Sequence, residues 1–235
     1  MLPFGGIVHL TIQRQACTLG NTVRTTRPPS PPPSPPGRTR FGPYTLLERI
    51  AVGGMAEVFR AEEPRSVGEP RVVVVKRMLP SLCQDPGTRA MFDEEAWLGK
   101  QLHHPNVVEI FEHGEVEGRP FISMEYVRGV NLSQLSHYLR LQTLELGVGL
   151  SLYVIHELLN GLDAVHEAIG PDGIPLQIVH HDISPSNVLL SVHGQVKLGD
   201  FGIARTKMRQ AHPHAPLNES ARGKLGYLSP EQVNG

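Results

Sequence analysis

Val179-His-His-Asp-Ile-Ser-Pro-Ser-Asn-Val-Leu-Leu190, followed by Val196-Lys-Leu-Gly-Asp-Phe-Gly-Ile-Ala204, is the stretch around which the chain is organised. An apolar strand ends in a polar loop that carries Asp182 and Asn187, and a second apolar strand leads to Asp200. Two carboxylates and an amide, offered from two neighbouring loops, suit a magnesium–phosphate site. A hard cation takes oxygen ligands, and one carboxylate is left over to orient a hydroxyl.

Upstream, Arg71-Val-Val-Val-Val-Lys-Arg77 is a β-branched run of the kind found in buried strands, closed by Lys76. The next segment reads as a helix capped by Asp85-Pro86, with Phe92, Glu95 and Gly99 sharing one face. Tyr44–Ile50 reads as a strand, Ala51–Ala56 as a turn and Glu57–Ala61 as a returning strand. Pro120–Val127 reads as a buried strand, Leu132–Leu141 as a short helix, and Leu150–Ile169 as a longer one with Ile155, Leu158, Leu162, Val165 and Ile169 at helical spacing.

Composition narrows the function. Lys plus Arg number 22 against 23 Asp plus Glu, so no charge imbalance points to nucleic acid. Cys17 and Cys83 lie in dissimilar contexts, which fits a reduced cytoplasmic protein, and no apolar run has the length of a membrane span. Met1–Ile12 has no basic start, so no signal peptide is expected. Residues 1–40, with the proline run Arg27–Gly37, read as a disordered tether, in which Ser30 and Ser34 are the phosphorylatable positions.

The two quoted segments resemble the catalytic loop (H-R-D-x-x-x-x-N) and D-F-G of eukaryotic-type serine/threonine protein kinases, especially bacterial ones. The resemblance implies an α+β bilobal fold. Residues 41–127 would form the small lobe and hinge, with a five-stranded antiparallel sheet and one helix, and residues 128–235 an incomplete, mainly helical second lobe. It implies ATP and Mg2+ as cofactors and a protein serine or threonine as acceptor, with any membrane attachment coming only through a longer parent chain. Asp182 would orient the attacking hydroxyl, Asn187 and Asp200 would hold the metal, and Lys76, paired with Glu95, would reach the phosphates. Ala51, Val52, Gly53, Gly54 and Val58 would form the phosphate flap and its edge; Glu94 points elsewhere on the helix. Leu102–Val108 matches the family's H-P-N-[IV]-V turn, which accounts for His104 better than a metal site does. Met124 would back the adenine pocket, and the Glu125 carbonyl and Val127 N–H would meet the adenine edge. His180 would pack on Phe201.

The chain also departs from the pattern. Ala51 stands where the flap has glycine; if that site needs a positive φ, a β-carbon costs roughly 1 kcal/mol or more. His181 replaces the arginine that grips an activation-loop phosphate. Ser184 replaces the γ-phosphate lysine, while Lys224, in Gly223–Glu231, stands where a threonine is usual, as though hydroxyl and ammonium had exchanged places. Residues 205–222 read as an activation loop with Thr206 and Ser220 as acceptors. The helices that complete the family's second lobe would lie beyond Gly235, leaving Leu158 and Leu162 short of cover. Three readings stay open: a kinase, a nucleotide-binding scaffold, and an inactive fragment.

Overall fold

The structure, a computed structural model, describes residues 37–200 and the short turn Leu225–Tyr227, all within the compact unit that begins at Pro35. Cys17, Ser30, Ser34, Phe201, residues 205–222 and Lys224 lie outside the described residues.

The small lobe is an antiparallel sheet of β1 (Thr39–Phe41), β2 (Tyr44–Val52), β3 (Ala56–Glu63), β4 (Arg71–Met78), β5 (Ile110–Val116) and β6 (Arg119–Glu125), in the order β1-β2-β3-β4-β6-β5. Five strands were expected; the sixth, β1, pairs with β2. It is drawn in by aromatic anchoring: Phe41 and Tyr44 meet Phe121 edge-on at 5.8 and 5.4 Å between ring centroids. The first described strand therefore starts at Thr39, upstream of the expected boundary at Phe41. β5 and β6 are joined by Glu117-Gly118, both at positive φ, the two-residue turn that matches strand twist.

β2 continues past Ile50 to Val52, which shortens the expected turn to Gly53–Met55, closed by Gly53 N–H donating to Ala56 O at 2.8 Å. Ala51 is thus an extended strand residue opposite Val58 and needs no positive φ. The backbone cost expected of its β-carbon does not arise.

Helix α1 (Pro86–Lys100) starts where capping chemistry puts it. The Asp85 carboxylate accepts from Thr88 N–H at 2.8 Å and from the Thr88 hydroxyl, and Pro86 occupies a position that needs no donor. Phe92, Glu95 and Gly99 share the buried face, and Phe92 and Ala96 pack with Met78, Ile110 and Ile122 of the sheet.

The second lobe contains β7 (Gly129–Asn131), α2 (Leu132–Leu141), α3 (Val148–His166), β8 (Val188–Ser191) and β9 (Val196–Leu198), with a small sheet β7-β8-β9. A reciprocal cap starts α2: Gln134 N–H donates to Asn131 Oδ1 at 2.8 Å and Asn131 N–H to Gln134 Oε1 at 2.9 Å. A β-carbon at Gly129 would collide with the Leu190 carbonyl, so only glycine lets β7 lie this close to β8.

α3 ends at His166, short of the expected Ile169. It buries Val154, Gly161 and Val165, with Leu158 and Leu162 partly covered, whereas Ile155 and Ile169 of the expected stripe are exposed. The helix is apolar on both sides, and Leu152, Ile155 and Leu159 lie open.

The lobes are stitched behind the cleft. Val108 N–H donates to Leu198 O at 2.9 Å, and Leu198 N–H to Asn106 O at 2.8 Å. Asn106 Nδ2 donates to Glu157 Oε2 at 2.7 Å and to Val196 O at 2.9 Å. A β-carbon at Gly161 would stand 2.8 Å from Asn106 O, so α3 approaches this joint only through glycine.

Candidate active site

β4 carries Lys76 to the inner face of the small lobe, and α1 brings Glu95 beneath it. The ammonium meets Glu95 Oε1 at 2.5 Å, both side chains being nearly closed off from solvent (13% and 6% exposed). From the second lobe, Asp200 Oδ1 reaches the same ammonium at 3.2 Å. Burial pulls the Lys76 amine down, but the charges of Glu95 and then Asp200 outweigh it and hold the amine above its ordinary value. The two carboxylates thus favour the charged form of the lysine. Glu94 is only partly buried, and the described pair uses Glu95.

The loop between α3 and β8 delivers Asp182 and Asn187. Asn187 Nδ2 donates to the Asp182 carbonyl at 2.7 Å, to Asp182 Oδ2 at 3.0 Å and to the Asp200 carbonyl at 3.4 Å. One buried amide therefore clasps both loops. Gly199 N–H donates to Asn187 O at 2.9 Å and closes the clasp from the other side. His180 is buried behind it; its Nδ1 accepts from Asp182 N–H at 3.3 Å, so Nε2 carries the proton and donates to Gly199 O at 3.2 Å. His181 and Asp200 hold left-handed φ values of 61° and 54°. Each costs about 1–2 kcal/mol, strain of the kind that collects at functional sites.

Oxygen donors dominate the mouth: the carboxylates of Asp182 and Asp200 and, with its nitrogen spent on hydrogen bonds, the Asn187 amide oxygen. That donor set fits a hard divalent cation such as magnesium.

The other expected residues are placed by their strands and loops. Val58 pairs with Lys76 in register and Ala51 with Val58; Val52 ends β2, and Gly53 and Gly54 form the turn. Met124, half-buried in β6, lies opposite Val74; Glu125 closes that strand, and Val127 follows it. Ser184 is buried, with its hydroxyl 3.0 Å from that of Ser186. His104 Nδ1 accepts from Asn106 N–H at 3.2 Å, so the turn does account for this histidine.

Two contributors lie in motifs quoted above but were assigned no role from the sequence. Lys197, buried in β9, bonds Glu125 Oε2 at 2.9 Å and so ties the strand that leads to Asp200 to the passage between lobes. Asn106 supports both lobes, as described above. An asparagine between apolar residues (Pro105, Val107) was the visible signal for the second; nothing local marks the first.

Residues 44–235 match the sequence profile of the protein kinase domain. Among curated proteins, the chain is 39% identical to the tyrosine-protein kinase MasK of Myxococcus xanthus, over 90% of this chain and 32% of that protein. It is 32% identical to the serine/threonine-protein kinase PknD of Mycobacterium tuberculosis, over 84% of this chain and 27% of that protein. The chain thus spans about a third or less of the length of these relatives. Among solved structures, the Mycobacterium tuberculosis PknI kinase domain aligns with a TM-score of 0.57 at 27% identity, covering 79% of this chain and 69% of that one.

Proposed function

Since this chain belongs to the protein kinase family, we propose that it transfers the terminal phosphoryl group of ATP to serine or threonine hydroxyls of protein substrates. The observation that carries the reading is the meeting of Lys76, Glu95 and Asp200 beside the Asp182–Asn187 clasp. In this reading Lys76, steadied by Glu95, binds the α- and β-phosphates, while Asp182 orients the acceptor hydroxyl and receives its proton. The Asn187 amide keeps the Asp182 carboxylate pointed at the cleft. Asn187 and Asp200 would hold magnesium, which when bound neutralises charge on the phosphates. Met124, Glu125 and Val127 are assigned to the adenine, and Ala51, Val52, Gly53, Gly54 and Val58 to the roof. Among the described residues no helix is long and apolar enough to cross a membrane, and the proposed site of action is the cytoplasm, where ATP is available.

A second reading, nucleotide binding without transfer, is favoured by Ser184, a buried hydroxyl where a cation is expected. In the kinase reading Lys224 supplies that charge. Incubating the purified chain with γ-labelled Mg-ATP and a generic protein acceptor, then identifying the phosphorylated amino acids, separates the two. The kinase reading expects label on serine or threonine that disappears in Asp182→Asn. Nucleotide binding without any transfer selects the scaffold, and label on tyrosine refutes the assigned specificity.

A further inference from the structure

Glu57 takes no part in the site described above. It lies in β3 opposite Val52 of β2 on one side and Arg77 of β4 on the other, while the next rung pairs Val58 with Lys76. Successive strand residues face opposite sides, so Glu57 and Arg77 occupy the face away from Lys76. There three guanidiniums converge on one carboxylate. Arg49 Nη1 of β2 donates to Glu57 Oε1 at 3.0 Å, and Arg77 Nη2 of β4 and Arg119 Nη2 of β6 both reach Oε2 at 3.2 Å. Arg119 is itself held by the Met78 carbonyl, at 2.7 Å from Nη2 and 3.2 Å from Nε. Arg77 stacks over Phe59 at 4.8 Å and Phe41 at 5.1 Å. One side chain thus links four strands at the level of the Gly53–Met55 turn.

The backbone leaves this level loosely specified. Pairing of β2 with β3 slips between Leu46 and Glu48 and again between Arg49 and Ala51, so the ladder is irregular on both sides of Arg49. The Arg49–Glu57 bond spans that irregularity. Burial alone would raise the Glu57 carboxyl, but hydrogen bonds from Arg49, Arg119 and Arg77 outweigh it and hold it below the ordinary value. Arg77 is pulled down by burial and by the charge of Arg119. The arginines repel one another, and the carboxylate keeps them together. Without it, three partly desolvated cations would share one patch, and the release falls on β2, whose Arg49 is the most exposed of the three.

We infer that Glu57 is a positioning residue for nucleotide: by gathering Arg49, Arg77 and Arg119 on the outer face, it sets the register and height of the 51–58 turn above Lys76. The inference rests on the reading of this cleft as an ATP site. It is tested on the whole 235-residue chain by the affinity of a fluorescent ATP analogue with magnesium, and by hydrogen exchange of the ligand-free protein, in wild type, Glu57→Gln and Arg49→Gln. Glu57→Gln should weaken the analogue about tenfold, roughly the worth of one charge-assisted hydrogen bond, and speed exchange selectively at residues 51–58. Arg49→Gln, which leaves the carboxylate two arginines, should move both readouts the same way by about threefold and serves if Glu57→Gln does not fold. Unchanged affinity in a variant that melts earlier, or faster exchange spread evenly over the sheet, overturns the inference and leaves Glu57 a general stabiliser. If the wild type binds no nucleotide, the proposed function fails, while the exchange comparison still decides whether Glu57 holds the turn.

Discussion

Lys76 and Asp200 stand 124 positions apart in sequence and 3.2 Å apart in space. The first belongs to the small-lobe sheet and the second to the loop after β9, so this contact is where the lobes meet at the cleft. Glu95 completes it from below at 2.5 Å. A cation held between two carboxylates from different lobes is poorly explained as a stability device, because desolvation offsets most of the attraction. In the proposed reading it is where the phosphates of the nucleotide bind.

Lys76→Met should lower phosphotransfer about 10²–10³-fold, the scale seen when one preorganised charge is removed. It should also destabilise the fold by about 3–5 kcal/mol, because Glu95 loses its buried cation. Adding Glu95→Gln should return most of the stability and none of the activity. Denaturation curves and initial rates check the two halves separately.

Asp85→Ala removes the cap of α1 and should cost about 1 kcal/mol. Since α1 carries Glu95, phosphotransfer should fall as well, and Asp85→Ser should restore both. Thermal melting alongside rate measurements tests this; a variant that melts earlier with unchanged rates would separate the cap from the site.

Glu57 gives a pH signature of defined sign. Its folded-state carboxyl lies below the ordinary 4.5, so its contribution to stability is present above that pH and is lost as the pH falls through the folded value. The stability gap between wild type and Glu57→Gln should therefore be full near neutrality and close in acid. Denaturant titrations across that range would show it; a gap that does not change with pH would contradict it.

Lys224→Met should lower the turnover rate while leaving Mg-ATP affinity unchanged, and the exchange Ser184→Lys with Lys224→Thr should recover most of it. An unaffected single variant would refute the compensation.

The sequence reading reached furthest where chemistry and local spacing coincide. Leu132–Leu141 forms the helix its pattern indicates, Asp85 caps α1, and the Phe92–Glu95–Gly99 face turns Glu95 inward. It went astray where periodicity has two solutions. α3 is apolar on both sides, so of the expected stripe packing buries Val165 and partly covers Leu158 and Leu162, while Ile155 and Ile169 stay exposed and Val154 is buried instead. β1 was missed because three residues are too short a segment to show a period; its anchoring by Phe41 on Phe121 exists only once the sheet has formed. The Lys197–Glu125 bond and the arginines around Glu57 join distant strands, and no spacing along the chain encodes them.

The central claim is that Lys76 and Asp200 act on one bound Mg-ATP. The most direct measurement is the melting temperature of wild type, Lys76→Met and Asp200→Asn against Mg-ATP concentration, with and without a chelator. A ligand at about 100 times its Kd adds about 2.7 kcal/mol to the native state. The account predicts a magnesium-dependent rise for the wild type that is largely lost in both variants. An equal rise in all three proteins, or none in the wild type, would contradict it.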